Sequence, residues 1–401
     1  MSREIVIVGG ARTPMCEYVG TPGFGKFKDV TAIDLAAHAS KAAIARAGVD
    51  PESIGHSVIG NALQTSTDAI YGARHVGLKA GLPQASGALT VNRLCGSGIQ
   101  ALVNGAQMIQ LEECESVLAG GMENMSQAPY SLYGGRDGFK FGVQPQLQDL
   151  LFASLMDPLA GMYMAQTAEN VARKNEISRE EQDAYALRSH QLGAAAVTEG
   201  RFGEEIEPYV IETRRGELRI DTDDHIRPET TAEGLAKLRP AFGKDGTVTA
   251  GNASGIVDGA AAVVMTTAER AASDSLDVWA KIKSWAYVGV DPTEMGIGPV
   301  PAIQACLERA GVSKDEVDFF EINEAFAAQY LGCEKVLGLD RDKCNVNGGA
   351  ISLGHPLGAT GTRLVLTLMY QLRRTNKRLG VASACIGGGQ GIAMLIENPQ
   401  A

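Results

Sequence analysis

The sequence predicts an α/β fold built from two related halves, with a further segment inserted in the first, and three observations carry that reading. Short apolar runs bounded by glycine alternate with helical patterns along most of the chain. Residues 43–62 align without gaps on residues 306–325: Arg46-Ala47-Gly48-Val49 returns as Arg309-Ala310-Gly311-Val312, with Ile59 over Ile322 and Ala62 over Ala325. Residues 122–248 have a different texture, rich in Met, Gln, Glu and Arg and without a strand rhythm. The expected organisation is residues 1–121 plus 249–271 as the first half, 122–248 as the insertion and 272–401 as the second half.

In order along the chain, residues 5–8 read as a strand, 32–47 as an amphipathic helix and 57–59 as a strand. Gly48 follows that helix at the position where a left-handed cap is favoured, and Gly311 does so in the second copy. Each copy is followed by strand, glycine-rich turn, helix and strand. The first passage runs through residues 89–92, the turn Cys95-Gly96-Ser97-Gly98, a helix with apolar Ile99, Leu102, Val103, Ala106 and Ile109, and a strand at 116–119. The second runs through a strand at 345–347, Gly348-Gly349, the segment 355–361, a helix to about Leu372 and a strand at 380–384. Residues 249–254 and 260–265 return to small-residue α/β character.

At 401 residues the chain exceeds what one hydrophobic core usually serves, which agrees with more than one packed unit. Its 36 Lys and Arg against 47 Asp and Glu give a net charge of −11, which opposes nucleic acid and anionic membranes as partners. A small anionic ligand stays open to it, because a few local cations dominate within one Debye length. Seven cysteines without CxxC or His/Cys spacings of metal type argue against a disulfide framework and against a metal, and point to a reducing compartment. The apolar run after Glu4 is too short for a signal peptide, no stretch approaches a membrane span, and the terminal Asn398-Pro399-Gln400-Ala401 is no peroxisomal address. A cytoplasmic protein is expected.

Four places could carry chemistry. Cys95 lies between a strand and a helix, where unpaired N–H groups and the helix dipole favour a thiolate, and Gly96 and Gly98 leave room for a carbonyl; the alternative is an inert buried thiol. His355 stands before Pro356 in the densest glycine segment of the chain, residues 347–361, where a rigidly held imidazole could deprotonate a thiol or serve an oxyanion. Cys385 opens a run of three glycines whose N–H groups could form an oxyanion hole. Asn323 falls where strand passes to helix, and N-capping is its simplest use. The near-miss Gly20-x₄-Gly25-Lys26 puts Phe27 where a phosphate loop needs a hydroxyl, and Gly9-Gly10 lacks the other dinucleotide glycines.

Together these residues resemble the thiolase family. Val91-Asn92-Arg93-Leu94-Cys95-Gly96-Ser97-Gly98 is similar to its nucleophile segment, Asn323-Glu324-Ala325-Phe326-Ala327 to its Asn motif, Gly354-His355-Pro356 to its His motif and Cys385-Ile386-Gly387 to its second-cysteine motif; the likeness spans nearly the whole chain. The resemblance implies the duplicated, five-layered α-β-α-β-α fold with an inserted loop domain. It implies an acyltransferase of fatty-acid metabolism that uses CoA and acyl-CoA as substrates, with no permanently bound cofactor. In that reading Cys95 is the nucleophile, Cys385 moves the α-proton, His355 and a water on Asn323 serve the enolate, and the N–H of Gly387 joins that of Cys95 in the oxyanion hole. Arg227 and Thr230 would contact the nucleotide, Ser254 the pantetheine arm, and Met164 the acyl group. Residues 122–130 resemble the loop through which dimers pair, so a homotetramer, a dimer of dimers, is implied. Tyr163 and Gln390 replace the His and Met frequent in short-chain members and lean towards broader chain length, Thr360 replaces a frequent Ser, and the segment 14–30 is longer than usual. A decarboxylating ketoacyl synthase would need histidine at Asn323, and a silent acyl-CoA-binding relative would have no use for four intact reactive positions.

Overall fold

A computed structural model describes residues 3–19, 25–243 and 245–401. The strands of its main sheet are β1 (Ile5–Arg12), β2 (His56–Gly60), β3 (Gly87–Val91), β4 (Ser116–Glu123), β5 (Val257–Thr267), β6 (Ala280–Gly289), β7 (Phe319–Ile322), β8 (Leu379–Ile386) and β9 (Gln390–Glu397). Their order across the sheet is β7-β8-β9-β6-β1-β5-β4-β2-β3, with the two-residue strand Cys16–Glu17 paired to β5. In the first half β2 runs parallel to β4, which is antiparallel to β5, itself antiparallel to β1. In the second, β7 runs parallel to β8, which is antiparallel to β9, itself antiparallel to β6. The same pattern twice is what a duplication leaves, and β1 joins β6 through only Val6↔Lys281 and Ile7↔Ala280.

The longer helices are α1 (Ala32–Ala47), α2 (Gly72–Ala80), α3 (Ser97–Gln110), α4 (Met164–Lys174), α5 (Arg179–Thr198), α6 (Pro299–Ala310), α7 (Ala327–Leu337) and α8 (Leu357–Thr375). The expected cap glycines hold: Gly48 and Gly311 end α1 and α6 in the left-handed conformation. Three apolar clusters define five layers. One joins α1 and α2 to the outer face of the first half-sheet, one joins α6 and α7 to the outer face of the second, and the third buries α3 and α8 between the two half-sheets. Ile99, Leu102, Val103, Ala106 and Ile109 all lie in this central layer, as their spacing predicts.

Two expectations fail. Residues 345–347 form no strand: Asn345 adopts a φ of 46°, and its amide both accepts from the Ile322 N–H and donates to the Ile322 carbonyl at 2.9 Å, replacing a ladder by side-chain bonds. Residues 122–125 cannot serve as an exposed pairing loop, because β4 runs through Glu123 and all four are buried within the chain. The exposed apolar surface begins instead at Tyr130 and continues through Tyr133, Leu147 and Leu159. Of the near-miss glycine loop, residues 20–24 lie outside the described residues; Phe27 is buried beside α1, and Lys26 pairs with Asp224.

Candidate active site

The site exists because α3 and α8 cross at two glycines. A Cβ on Gly98 would stand 2.3 Å from the Thr362 backbone nitrogen, and one on Gly361 would stand 2.3 Å from that of Ile99. Only bare backbone allows this approach, which brings the first turns of both helices, and the residues just before them, to the seam between the halves.

Cys95 sits in the turn before α3. Leu94 holds φ at 47°, a costly conformation for a branched residue. The turn is braced by Asn92 Oδ1, which accepts from the Leu94 N–H, and by Ser97 Oγ, which accepts from Arg93 N–H and donates to the Leu94 carbonyl. Cys95 is partly accessible. Burial pushes its thiol up to about 11, although the N–H groups of Gly387 and of Cys95 itself pull the other way; the Glu123 carboxylate adds to the rise. The helix start therefore does not leave a resting thiolate, contrary to the expectation from its position, because desolvation outweighs two hydrogen bonds.

His355 is buried in the link before α8. The preceding Gly354 adopts a φ of 91°, and a Cβ there would collide with Val257 at 2.2 Å. The His355 N–H donates to the Gly255 carbonyl. Thr360 Oγ1 lies 2.6 Å from Nδ1 and 3.0 Å from the Pro356 carbonyl, and the Asn323 amide nitrogen faces Nε2, so the tautomer that serves all three contacts carries its proton on Nδ1. Nε2 then carries the lone pair and accepts from the Asn323 amide nitrogen at 3.3 Å. Burial, with Arg363 adding to it, holds the imidazole down to about 3, hence neutral.

Asn323 follows β7 and is buried; α7 starts only after Phe326, so Asn323 is not its cap. Its Oδ1 is buried with no hydrogen-bond partner among the described residues, which fits a group that accepts from a water. Cys385, near the end of β8, is buried, and its thiol is pushed well above the usual range by burial and by its neighbours Cys95 and Cys333. Gly387 begins the three-residue hairpin to β9, in which Gly388 and Gly389 hold φ near 80°.

An apolar cavity of about 280 Å³ opens beside these groups, lined by His355, Met164, Ser254, Tyr163, Phe242 and Phe326 among others. Cys95 stands behind this wall in a cluster with Met125 and Leu357, which also line the cavity, while Cys385 packs with Met164 and Phe326. Arg227 and Thr230 are not on the lining. Arg227 commits its fork to Glu17 and to the Asp224 carbonyl, and Thr230 closes a turn onto the Arg227 carbonyl. Tyr163 lies between Phe152 and Phe242, with ring centroids 4.7 and 5.3 Å away. Gln390 instead holds Arg93. Sequence reasoning passed over Leu94 and Glu123, and it noted Thr360 only as replacing a serine, not as the hydroxyl that meets His355 Nδ1. No cluster of three or more His, Cys, Asp or Glu suited to a metal occurs among the described residues.

Cys95 of one half and His355 and Cys385 of the other gather around one cavity, an arrangement that can carry acyl transfer. Comparison with known proteins agrees. The thiolase N-terminal domain profile matches residues 5–269 and the C-terminal one residues 276–398. The human mitochondrial 3-ketoacyl-CoA thiolase is 50% identical over 396 residues, covering 99% of this chain and 98% of that protein. The acetyl-CoA acetyltransferase of Rhizobium meliloti is 44% identical, covering 98% of each. A solved structure of the human enzyme in complex with CoA superimposes with a TM-score of 0.95 at 50% identity, covering 99% and 98% of the two chains. The chain belongs to the thiolase family and is an acyltransferase.

Proposed function

We propose that this enzyme cleaves 3-ketoacyl-CoA with CoA to acetyl-CoA and a shortened acyl-CoA, and runs the reverse Claisen condensation, including that of two acetyl-CoA to acetoacetyl-CoA. The carrying observation is that cysteines of opposite halves back one cavity that His355 also lines: Met125 and Leu357 of its wall pack with Cys95, and Met164 and Phe326 of its wall pack with Cys385. With the thiol raised and the imidazole lowered, the resting pair is neutral, and the Cys95 proton passes to His355 Nε2 as sulfur attacks the keto carbonyl. The N–H groups of Cys95 and Gly387 take the oxyanion. The carbon–carbon bond then breaks, and the electron pair goes to the acetyl-CoA enolate, whose oxygen meets His355 and a water on Asn323. Cys385 supplies the proton to carbon. The CoA thiol next attacks the acyl-Cys95 thioester and gives its proton to the Cys385 thiolate; the bond from acyl carbon to the Cys95 sulfur breaks, Cys95 takes back the proton held by His355, and the shortened acyl-CoA leaves, giving ping-pong kinetics.

Ser254 and Met164, on the cavity lining, support contacts to pantetheine and acyl group; the aromatic wall at Tyr163 supports acyl chains beyond acetyl. Arg227 and Thr230 would reach the nucleotide end only at the rim. The exposed apolar run from Tyr130 to Leu159 supports assembly as a homotetramer, and a cytoplasmic setting suits seven free thiols. The test is thiolysis of acetoacetyl-CoA beside a longer 3-ketoacyl-CoA. Cys95→Ser should form no acyl-enzyme, whereas Cys385→Ser should still be acylated but scarcely condense; full activity in either variant refutes the assignment.

A further inference from the structure

Glu123, the last residue of β4, is fully buried, yet its carboxylate is completely occupied. Oε1 accepts from Asn61 Nδ2 at 2.8 Å and from the Leu63 N–H at 3.0 Å; Oε2 accepts from the Ala62 N–H at 3.0 Å and from the Gly358 N–H at 2.9 Å. Three of these donors belong to the loop after β2. The fourth belongs to the other half: Gly358 is in the first turn of α8, three residues beyond His355. That N–H is one of the orphan donors of a helix start, and the dipole there favours an anion.

The contact is as close as backbone permits. A Cβ on Gly121 would stand 1.9 Å from the Gly358 carbonyl oxygen, and one on Gly358 would stand 2.5 Å from that of Met122. Ala62 and Leu63, held by the same carboxylate, pack in the small apolar cluster that contains Cys95. One side chain thus ties the helix that follows the imidazole to the loop beside the nucleophile. The arrangement has a mirror in the duplication, since β8 ends where the Gly387 N–H meets Cys95 before α3. In each direction the strand end of one half meets the helix start of the other.

We propose that Glu123 is a positioning residue for the acyl transfer described above: it clamps the start of α8, and with it His355, against the loop beside Cys95. This rests on the thiolase reading for its kinetic consequence but not for its structural one. No carboxylate oxygen is left to touch substrate, so the effect is on geometry. Four donors facing two oxygens also leave no place for an amide NH₂, which makes Glu123→Gln a sharp perturbation of nearly unchanged volume.

In the full chain, Glu123→Gln should lower kcat for acetoacetyl-CoA thiolysis about 100-fold, the scale of an ångström misplacement, with KM for CoA within about threefold. Asn61→Ala, which removes one of the four bonds, should lower kcat about tenfold. Hydrogen exchange read by mass spectrometry should speed up in the peptide covering 355–360 while the α3 peptide keeps its protection. A folded Glu123→Gln with wild-type kcat overturns the proposal, as does a rise in KM alone or unchanged exchange at 355–360. If Glu123→Gln does not fold, Asn61→Ala decides, and wild-type kcat in that variant overturns it. Wild-type protein inert toward thioesters would instead sink the functional reading, and the exchange measurement would then judge the clamp by itself.

Discussion

Thr360→Val isolates the hydroxyl that sets the histidine tautomer. Valine replaces the hydroxyl by a methyl group, so no cavity opens, and the Pro356 carbonyl keeps its bonds from the Ala359 and Thr360 N–H groups. What is lost is the acceptor 2.6 Å from His355 Nδ1. The imidazole must then either bury an unpaired Nδ1–H or move the proton to Nε2, where it blocks transfer from Cys95. Keeping the reactive tautomer against an unpaired buried N–H costs about 1–3 kcal/mol, a factor of roughly 5 to 150. Rapid-quench measurement of Cys95 acetylation by acetyl-CoA should show that slowing, with a thermal midpoint close to wild type, and Thr360→Ser should restore the rate. Acetylation of Thr360→Val within about twofold of wild type, or a serine variant as slow as the valine one, would show that the hydroxyl does not select the tautomer.

Because folded His355 stays neutral down to about 3, the fold refuses a proton that the unfolded chain takes up near 6.5. The stability tied to that neutral state is whole above the unfolded value and drains away as pH falls toward the folded one, about 2 kcal/mol of it by pH 5. Urea unfolding at pH 7 and pH 5 should therefore show a loss about 2 kcal/mol smaller in His355→Asn than in wild type; equal losses would contradict a neutral buried imidazole. Gly98→Ala and Gly361→Ala each drive a methyl into backbone of the facing helix, so each should cost about 3 kcal/mol or more and abolish thiolysis. A urea midpoint and activity like wild type in either would deny the close crossing. Asn323→Ala should leave Cys95 acetylation near wild type while slowing condensation about 100-fold, and parallel loss of both steps would assign Asn323 to the nucleophile instead.

Periodicity and glycine placement made the halves legible. The spacing of apolar residues from Ile99 to Ile109 marks the buried face of α3, and the repeat around Gly48 and Gly311 marks equivalent helix ends. Cys95 and His355 were legible for a different reason, since each sits just before a helix among glycines that mark close backbone approach, while Cys385 stands in a strand just before the glycines of a hairpin. What stayed hidden depends on partners remote in the chain. Asn345 looked like strand because nothing local shows that its amide bonds back to Ile322. Glu123 looked like the edge of an insertion because its four donors come from residues 61–63 and from Gly358. Arg227 was legible only as a nucleotide contact implied by resemblance, and its commitment to Glu17 crosses 210 residues. The thiol of Cys95 shows the same limit in electrostatics: its helix-start position was evident, but the burial that outweighs it belongs to the assembled halves.

The duplication also explains why a single site arises from two copies. Gly98 and Gly361 are separated by 263 residues, as are the first residues of β4 and β8, Ser116 and Leu379, so the halves keep one register through their crossing helices and inner strands. At that offset Ser97 corresponds to Thr360, and each hydroxyl braces the turn before its own helix, one by accepting the Arg93 N–H and the other by accepting the His355 Nδ1–H. Asn92 corresponds to His355. The Asn92 side chain braces the Leu94 N–H in one half where the imidazole stands in the other, and the backbone differs with it: Leu94 holds a positive φ while its counterpart Leu357 is helical, and Gly354 holds one while its counterpart Val91 is strand. Ile386 corresponds likewise to Glu123, one leading into the Gly387 N–H that faces Cys95, the other giving a carboxylate that faces Gly358. A symmetric pair of sites would spend both helix starts on the same chemistry. Divergence at equivalent positions instead lets one helix start present sulfur while the other holds the imidazole that takes its proton in the function proposed above, and the glycine crossing draws the two helix starts together.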